Sequence, residues 1–382
     1  MKVALLSNYF NHHQKPLADE LYRLLGDGGF YFITTTEVPE FRKKLGYEEI
    51  SAPYILKYNS EDHEDASRVI MNFDVLVFGG NIDSFQLAKE RIREGKLTFQ
   101  MAERWLKRGF VNFFSPNLLK QTISYWSGKW WRKPIYRLCM SAYAPNDLYL
   151  MRQYRNKCFK WGYFTKVDGD FEVEAPELGA STSEITPIMW CARFLKLKHP
   201  ELPVQLAARL KAKGYRFTID MFGSGEELEN TKTLITQLGV EDCVNLCGNR
   251  ANDEILEEMR NHSIFLFTSD RHEGWGAVLN EAMSNGCVPI AAEAIGSVPF
   301  LVKDGVNGMI FKTNNILSLE GKVVELIENR SLIENMSINA RETMKLWSPK
   351  VAAHRLLELI EAKREGRDTP FENGPCSKAL PI

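Results

Sequence analysis

The chain has 382 residues, 44% of them hydrophobic, which is enough for two domains with sizeable cores. Its 48 basic and 49 acidic residues nearly cancel, so the charge lacks the basic excess of a protein that binds nucleic acid. Seven scattered cysteines without a CxxC pair predict reduced thiols in a cytoplasmic protein. No apolar run reaches the ~18 residues of a transmembrane helix, so only peripheral contact with the inner face of a membrane is left open.

The chain begins with a predicted strand at residues 2–6 and a helix at residues 16–25. The loop between them contains Asn11, His12 and His13. Loops at the carboxyl ends of parallel strands are where ligands bind in α/β proteins, so these three residues are candidate ligand contacts, with a plain surface turn as the alternative. The loop lacks a GxGxxG pattern, so we expect no nucleotide here.

Short apolar runs and helical stretches alternate through the rest of the first domain. The strands are predicted at residues 30–34, 54–58, 74–78, 97–101, 136–140 and 157–161, and helices between them include residues 84–94 and 102–107. This alternation predicts a parallel sheet.

A cluster of aromatic and basic residues occupies positions 125–133, with three tryptophans and three basic residues. Aromatic rings beside cations can stack on sugars, face a membrane interface, or fill a core from which the lysines extend to solvent. The sequence favours a role facing an acceptor or a membrane, and leaves core packing open.

An acidic segment rich in Gly, Ser and Thr predicts a linker at residues 165–186, between a first domain at 1–165 and a second at 187–346. It contains Asp168 and Asp170, in the acid-x-acid spacing of some manganese sites. Two such acids arise easily by chance in an acidic segment, so we predict no metal site.

The second domain repeats the alternation of strands and helices. Its strands are predicted at residues 187–192, 216–222, 243–247 and 263–268, and its helices at 204–213, 226–238 and 253–260. After Pro349 an amphipathic helix at 351–363 follows, and the proline-containing tail at 367–382 is predicted to be weakly ordered.

Two strand ends of this domain offer cations or glycines to a ligand. Arg193 directly follows the strand at 187–192 and Lys198 lies five residues later, with Lys196 as a rival; both suit a phosphate. Gly223 and Gly225 form a weak phosphate loop, because the third glycine is missing.

The most informative stretch is the segment that follows the strand at 263–268. Gly274 and Gly276 allow a tight turn before a helix, and the free N–H groups of a helix N-terminus suit an anion. Glu273 is unexpected beside an anion, which suggests that it binds sugar hydroxyls; Glu281 lies about two turns further along the helix. The alternative is a capping residue and a solvated surface acid.

The run EGWGAVLNEAMSNGCVPIAA, which contains both glutamates, resembles the signature of glycosyltransferase family four. That resemblance implies a retaining enzyme of bacterial polysaccharide biosynthesis type with the GT-B fold, in which two Rossmann-like parallel-sheet domains face each other across a cleft. It also implies that a C-terminal helix, residues 350–366, packs back onto the first domain.

The resemblance assigns roles to residues of the second domain. Arg193 and Lys198 would contact the pyrophosphate and Glu273 the transferred sugar, and these three are the predicted catalytic residues. Donor binding would involve Glu281 at the ribose, the backbone at Gly274, Trp275, Gly276 and Ala277, the loop at Gly223 and Gly225, and Gly248 and Asn249 near the base. Two glycines that usually flank the Arg–Lys motif are replaced here by Ala192 and His199.

In the first domain the resemblance is weaker. Many family members carry a histidine near the reacting sugar at the strand end where this chain has Val77 and Gly79. Either the role is unfilled or it passes to His12 or His13. Asn11, His12, His13, Asn81, Glu103 and Arg104 are the predicted acceptor-binding residues, and the pair Glu103–Arg104 is equally consistent with an ordinary salt bridge.

The predicted function is transfer of a sugar from a nucleoside diphosphate to a glycan or lipid-linked acceptor, without a metal or other cofactor. A sugar-nucleotide epimerase of the same fold and an inactive sugar-binding protein are the alternatives. The missing GxGxxG in both halves argues against a dinucleotide-dependent oxidoreductase.

Overall fold

A computed structural model describes residues 1–40, 49–60, 62–79, 86–166 and 185–382, and the chain folds into two α/β units. The first unit comprises Met1–Lys166 together with Leu346–Ile382, and the second comprises Val167–Lys345. Asn81, Asp168 and Asp170 lie outside the described residues, as does most of the predicted linker. None of the described helices is both long and apolar enough to cross a membrane.

The first unit is built on a seven-stranded parallel sheet in the order β3-β2-β1-β4-β5-β6-β7. Its strands are β1 Val3–Ser7, β2 Phe30–Thr34, β3 Ile55–Lys57, β4 Val75–Gly79, β5 Thr98–Ala102, β6 Ile135–Cys139 and β7 Cys158–Lys160. Its helices are α1 Lys15–Leu25, α2 His63–Asn72, α3 Gln86–Arg93, α4 Pro116–Ser127, α5 Ala144–Leu150 and, at the end of the chain, α13 Pro349–Arg364; 3-10 turns cover Gly109–Phe114 and Trp130–Arg132.

The central strands of this sheet are apolar because helices cover both of its faces. Val3, Leu5, Val75 and Val77 are almost completely buried on β1 and β4. These two strands pair in register, with Val3 opposite Val75. The predicted parallel sheet is therefore confirmed, and α13 packs against α1 of the same unit.

One predicted helix of the first unit, at residues 102–107, is wrong. The chain leaves β5 at Ala102 and runs through an irregular segment to the turn at Gly109–Phe114. The buried Asp147 carboxylate accepts hydrogen bonds from the N–H groups of Trp105 and Leu106, at 2.8 Å each. Because a distant side chain satisfies these donors, the backbone does not need helical hydrogen bonds there.

The prediction of a weakly ordered tail is also wrong. The tail runs antiparallel along β7, where Phe159 pairs with Lys378. The N–H of Lys160 donates to Ser377 at 2.8 Å, and the N–H of Ala379 donates to Cys158 at 3.0 Å. Cys376 is completely buried. The tail thus covers an edge strand whose backbone groups would otherwise be unpaired, a contact that local periodicity does not reveal.

The second unit has a six-stranded parallel sheet in the order β10-β9-β8-β11-β12-β13. Its strands are β8 Thr186–Cys191, β9 Phe217–Phe222, β10 Val244–Gly248, β11 Ile264–Phe267, β12 Val288–Ala292 and β13 Met309–Phe311. Its helices are α6 Glu201–Ala212, α7 Leu228–Leu238, α8 Asn252–Asn261, α9 Val278–Ser284, α10 Val298–Leu301, α11 Ile316–Glu328 and α12 Arg330–Leu346, with a 3-10 turn at Lys196–Lys198. The predicted second αβ repeat is confirmed.

Candidate functional site

The candidate site of the second unit lies where the strand order reverses. β8 and β11 are neighbours in the sheet, although they are separated along the chain by β9 and β10. Such a switch point leaves a crevice beyond the carboxyl ends of the strands, where α/β proteins bind ligands. Arg193 and Lys198 follow β8, and Glu273 follows β11, so strand order alone brings the three to one end of the sheet.

Lys198 and Glu273 form an ion pair across this switch point, with both side chains largely buried. The Ser269 hydroxyl also donates to the Glu273 carboxylate, at 3.3 Å. The pair explains how a glutamate can lie beside an expected anion site, because the ammonium group neutralises its charge. Lys196, the rival of Lys198, is exposed.

Backbone contacts fix the loop of Lys198 against the end of β11. The Thr268 hydroxyl donates to the carbonyl of Lys198 at 2.6 Å and accepts from the indole N–H of buried Trp190 at 2.9 Å. The N–H of Asp270 donates to the carbonyl of Leu197 at 2.9 Å. Ser269 and Thr268 are therefore supporting residues that sequence reasoning missed, although their position directly after a strand is the signal that would have found them.

The pKa of Cys191, at the end of β8, responds to both Glu281 and Lys198. Burial and then the Glu281 carboxylate raise this pKa, against a lowering by the Lys198 ammonium, to about 12. Both charges are therefore close enough to the end of β8 to act on this thiol. Glu281 is on α9 and only 8% exposed. Burial raises the pKa of Glu281 to about 7, so a buried acid, and not a solvated one, occupies this position.

Arg193 is exposed at the same end of β8, and the loop that carries it interlocks with the loop of the two predicted glycines. The N–H of Phe194 donates to Ser224 at 2.9 Å. A Cβ atom at Gly223 would lie 2.0 Å from the carbonyl oxygen of Ala192, and one at Gly225 would lie 2.4 Å from that of Phe194. These glycines are needed for close approach of two backbones.

His199 occupies a left-handed conformation, with φ of 51° and ψ of 58°. Glycine adopts this conformation without strain, which explains why a glycine is usual at this position of the resembled motif. Here the imidazole is fixed instead by Glu201, whose hydrogen bond raises the pKa of His199, and by Asp270 at 3.5 Å. The departure from the motif therefore preserves the turn.

The predicted turn and helix after β11 are present. Gly276 has φ of +79°, and a Cβ atom there would lie 2.3 Å from the ring of Phe267. Trp275 is 1% exposed, and its indole N–H donates to Asn280 at 2.8 Å. Gly274 is also buried, and Ala277 precedes the first residue of α9. The buried side chains of Phe267 and Trp275 therefore support the turn.

The remaining predicted donor residues lie on the neighbouring loop. The amide of Asn249 donates to the Ser224 hydroxyl at 2.9 Å, and the N–H of Gly223 donates to the carbonyl of Gly248 at 2.8 Å. The loops after β9 and β10 are therefore joined. In the sheet, β9 and β10 both lie on one side of β8, and β11 lies on the other side.

A cavity of about 500 Å³ lies within the first unit, beside its own switch point between β1 and β4. Its polar lining includes Ser7, His13, Gln14, Glu103, Arg104 and Lys107, and its apolar lining includes Leu17, Phe32, Trp105, Trp161 and Phe164. This combination of an apolar wall with a few polar groups is typical of a small-molecule site.

The predicted pair Glu103–Arg104 lies on this cavity, and both members take part in ion pairs. Glu103 pairs with Lys107. Arg104 lies 3.5 Å from the buried Asp147 and 5.0 Å from the ring centre of Tyr143. Burial raises the pKa of Asp147, and the N–H of Leu106 and the Arg104 guanidinium oppose that rise. Glu103 and Arg104 thus each line the cavity and each take part in an ion pair, so a contact with the acceptor and an ordinary salt bridge are compatible alternatives.

His13 reaches the cavity, together with Gly79 at the end of β4, the position of the missing family histidine. Asn11 and His12, although described, are not among its lining residues. Asn11 instead organises the turn, because its side chain accepts from the N–H of His13 at 3.0 Å. Burial lowers the pKa of His12, whose ring centre lies 3.9 Å from that of His13. Gln14, Trp105 and Lys107 were missed, and no sequence pattern indicated them.

Among the described residues, the cysteines and the other potential metal ligands form no further candidate site. All seven cysteines are free. Within the part of the chain that the structure describes, no group of three or more His, Cys, Asp or Glu side chains is placed to hold a metal ion.

The likeness to a solved structure extends over nearly the whole chain. HepE of Anabaena, solved in complex with UDP, matches with a TM-score of 0.69 and 15% sequence identity, and the match covers 95% of this chain and 100% of HepE. At that identity the likeness establishes the fold alone. A chain of two parallel-sheet α/β units with this likeness has the GT-B fold, as predicted.

The sequence of the second unit resembles a known family. Residues 182–343 match the family described as Glycosyl transferases group 1, which confirms the resemblance seen in the sequence. An uncharacterized glycosyltransferase of Methanocaldococcus jannaschii is 30% identical over 136 residues, or 36% of this chain and 38% of that protein. The putative colanic acid biosynthesis glycosyltransferase WcaL of Salmonella typhimurium is 26% identical over 157 residues, 40% of this chain and 38% of WcaL. The chain spans less than half the length of these curated relatives.

Proposed function

We propose that the protein is a retaining glycosyltransferase that moves a hexose-type sugar from a nucleoside diphosphate to a hydroxyl of a glycan or lipid-linked acceptor. The observation that carries this proposal is the ion pair of Lys198 and Glu273 at the switch point of the second unit. The match of residues 182–343 to the family Glycosyl transferases group 1 and the polysaccharide role named for one relative support it. Because HepE was solved with UDP, a uridine diphosphate sugar is the first donor to test.

Different charged residues of this site bind different parts of the donor. Arg193, exposed at the end of β8, and Lys198 bind the diphosphate oxygens, where an arginine offers two parallel donors and a lysine a compact charge. Glu273 accepts from hydroxyls of the transferred sugar. Glu281 accepts from the ribose hydroxyls in its ionised form, which binding of two hydroxyl donors favours over the protonated form.

The reaction breaks the bond between the anomeric carbon and the diphosphate oxygen and forms a bond from the same carbon to the acceptor oxygen. The departing diphosphate oxygen takes the acceptor proton on the same face of the sugar, so the configuration is retained and no protein base is required. Arg193 and Lys198 stabilise the charge that develops on the leaving group. Two fixed cations take the part that a metal plays in other transferases, so we propose that transfer is metal-independent.

The acceptor binds in the cavity of the first unit. Trp105 and Trp161 supply aromatic surface for a sugar face, and His13, Gln14 and Glu103 supply polar groups for its hydroxyls. His13 thereby takes the place of the histidine that is missing at the end of β4.

The test is an assay of purified protein with uridine, guanosine and adenosine diphosphate sugars, with thermal shift identifying the donor that binds. We expect diphosphate release that depends on an added glycan acceptor, persists with a chelator present, and gives a product with the donor's anomeric configuration. Turnover of the donor sugar without any acceptor would indicate an epimerase. Donor binding without turnover against a broad acceptor panel would indicate a sugar-binding protein.

A further inference from the structure

Helix α4 of the first unit presents an apolar stripe to solvent. Leu119, Ile123 and Trp126 recur at the spacing of one helix face and are 56%, 56% and 42% exposed. Leu118 and Tyr125, on an adjacent side of the same helix, are buried. The helix therefore has two apolar sides, of which only one contributes to the core of this unit.

Neighbouring segments add further exposed apolar side chains next to this stripe. The 3-10 turn at Gly109–Phe114 contacts α4 and exposes 71% of Val111 and 87% of Phe114. Beyond the other end of the helix, the ring centre of Trp131 lies 5.1 Å from that of Trp126, and Trp131 is 38% exposed. We name this patch the α4 face; it consists of Val111, Phe114, Leu119, Ile123, Trp126 and Trp131.

The surroundings of the α4 face are basic. Residues 104–146 include eight basic residues and no acidic one, in a chain whose net charge is only −1. Four of those basic residues are exposed around the patch, namely Arg108, Lys120, Lys129 and Arg132. Exposed apolar patches of this kind mark contact surfaces, and every charged residue in this stretch of the chain is basic.

We propose that the α4 face docks reversibly on the surface of a membrane that contains anionic lipids. Its tryptophan and phenylalanine rings would lie at the level of the lipid headgroups, where amphipathic aromatic rings are favoured. The lysines and arginines of this stretch are attracted by the anionic surface. Neither the aromatic rings nor the basic residues would anchor a protein alone, but together they supply the two contributions that peripheral membrane binding needs.

Charge also argues against a second copy of this chain as the occupant. In a two-fold symmetric contact the same surface meets itself, so the basic residues of one copy would face those of the other. Like charges placed opposite each other across an interface oppose association.

Helix α4 also connects the face to the cavity, because Gln121 of this helix lines it. A docked α4 would place the cavity beside the lipid surface, which suits an acceptor carried on a lipid. This last step rests on the proposed function, whereas docking itself does not.

The experiment is flotation of the full chain with vesicles of phosphatidylcholine alone and of an equal mixture with phosphatidylglycerol. We expect binding to the mixed vesicles that weakens with added salt. Phe114→Ser with Trp126→Ser should weaken it about tenfold or more, and so should Lys120→Glu with Lys129→Glu. Leu317→Ser with Ile338→Ser, which changes exposed apolar residues of the second unit, and Lys232→Glu with Lys350→Glu serve as matched controls and should bind like the native chain.

Absence of flotation by the native chain, or equal losses in the control variants, would overturn the proposal. Equal binding to both vesicle types would overturn its electrostatic part. A concentration-dependent dimer in sedimentation that Phe114→Ser with Trp126→Ser abolishes would instead identify a second copy as the occupant. Thermal unfolding verifies that each variant is folded. Binding of a nucleoside diphosphate, which none of the substituted side chains is proposed to contact, is a second check.

Discussion

Lys198 and Glu273, 75 positions apart in the sequence, form an ion pair between the loops that follow β8 and β11. The pair exists because two strands distant in sequence are neighbours at the switch point of the sheet. It links a residue proposed to bind the diphosphate with one proposed to bind the sugar, so it is the first place to test the proposed chemistry.

We predict that Lys198→Ala lowers kcat/KM for transfer by about 100- to 1000-fold, the usual cost of removing one group that stabilises a developing negative charge. Glu273 also loses the cation that neutralises it and then repels the diphosphate. Steady-state kinetics with varied donor measure this change. Lys196→Ala removes an exposed lysine of the same 3-10 turn and is the matched control. Equal effects of the two substitutions would contradict the assignment.

Glu281 gives a prediction for donor affinity against pH. Because burial raises the pKa of Glu281 to about 7, the carboxylate is only partly ionised at neutral pH. If the ionised form accepts from the ribose, the affinity for the nucleoside diphosphate should rise as pH increases from 6 to 8. Glu281→Gln should bind more weakly at pH 8 and lose this dependence. Calorimetric titration at several pH values measures it, and an unchanged pH profile in the variant would contradict the role.

The same residue predicts the opposite trend for stability. A buried acid whose pKa is raised by folding contributes to the free energy of unfolding. That contribution is present in full only below pH 4.5, the pKa of a glutamate in the unfolded chain. That contribution is lost as pH rises toward 7, since the unfolded chain then binds fewer protons than the folded one. At pH 8 Glu281→Gln should therefore be more stable than the native chain, by no more than about 3 kcal/mol. Denaturant unfolding at pH 5 and pH 8 checks the sign.

Gly276 offers a test of the turn that carries Glu273. Gly276→Ala places a Cβ atom 2.3 Å from the Phe267 ring, in addition to the strain of a positive φ. Gly239→Ala is the matched control, because Gly239 also has a positive φ but its Cβ atom would have no neighbour within 4 Å. The control should lose about 1 kcal/mol of stability, and Gly276→Ala about 1–3 kcal/mol more together with donor binding. Thermal unfolding and calorimetry distinguish the two, and similar losses would mean that the ring yields easily.

The tail is predicted to stabilise the first unit. Removal of residues 371–382 deletes three backbone hydrogen bonds to β7 and exposes its edge, which should cost roughly 3 kcal/mol. Removal of residues 380–382 alone retains those three bonds; it deletes two exposed hydrogen bonds between the Asn146 side chain and the Ile382 backbone, and Leu380 and Ile382 are mostly exposed. The shorter deletion should therefore change the midpoint of denaturant unfolding much less. If both deletions have the same effect, the pairing with β7 contributes nothing.

The sequence by itself determined most of the local structure of this protein. Apolar runs such as residues 30–34 and 263–268 identified strands, because a strand covered by helices on both faces is apolar along its length. The glycine turn after β11 and the glutamates at 273 and 281 revealed the resemblance to a glycosyltransferase family, because those residue types recur in a fixed pattern. The helix predicted at 102–107 failed, since the Asp147 carboxylate satisfies that backbone from a position more than 40 residues away.

Only the tertiary structure decided which residues meet. Strand order is not encoded in local periodicity, so the contact of Lys198 with Glu273, the exposure of Lys196, and the cavity at His13 required the folded sheets. Burial is likewise a property of the fold: it made Glu281 a weak acid and left the stripe of α4 exposed. Pairing of the tail with β7 depends on an edge strand more than 200 positions earlier in the chain, and no neighbouring residue signals it.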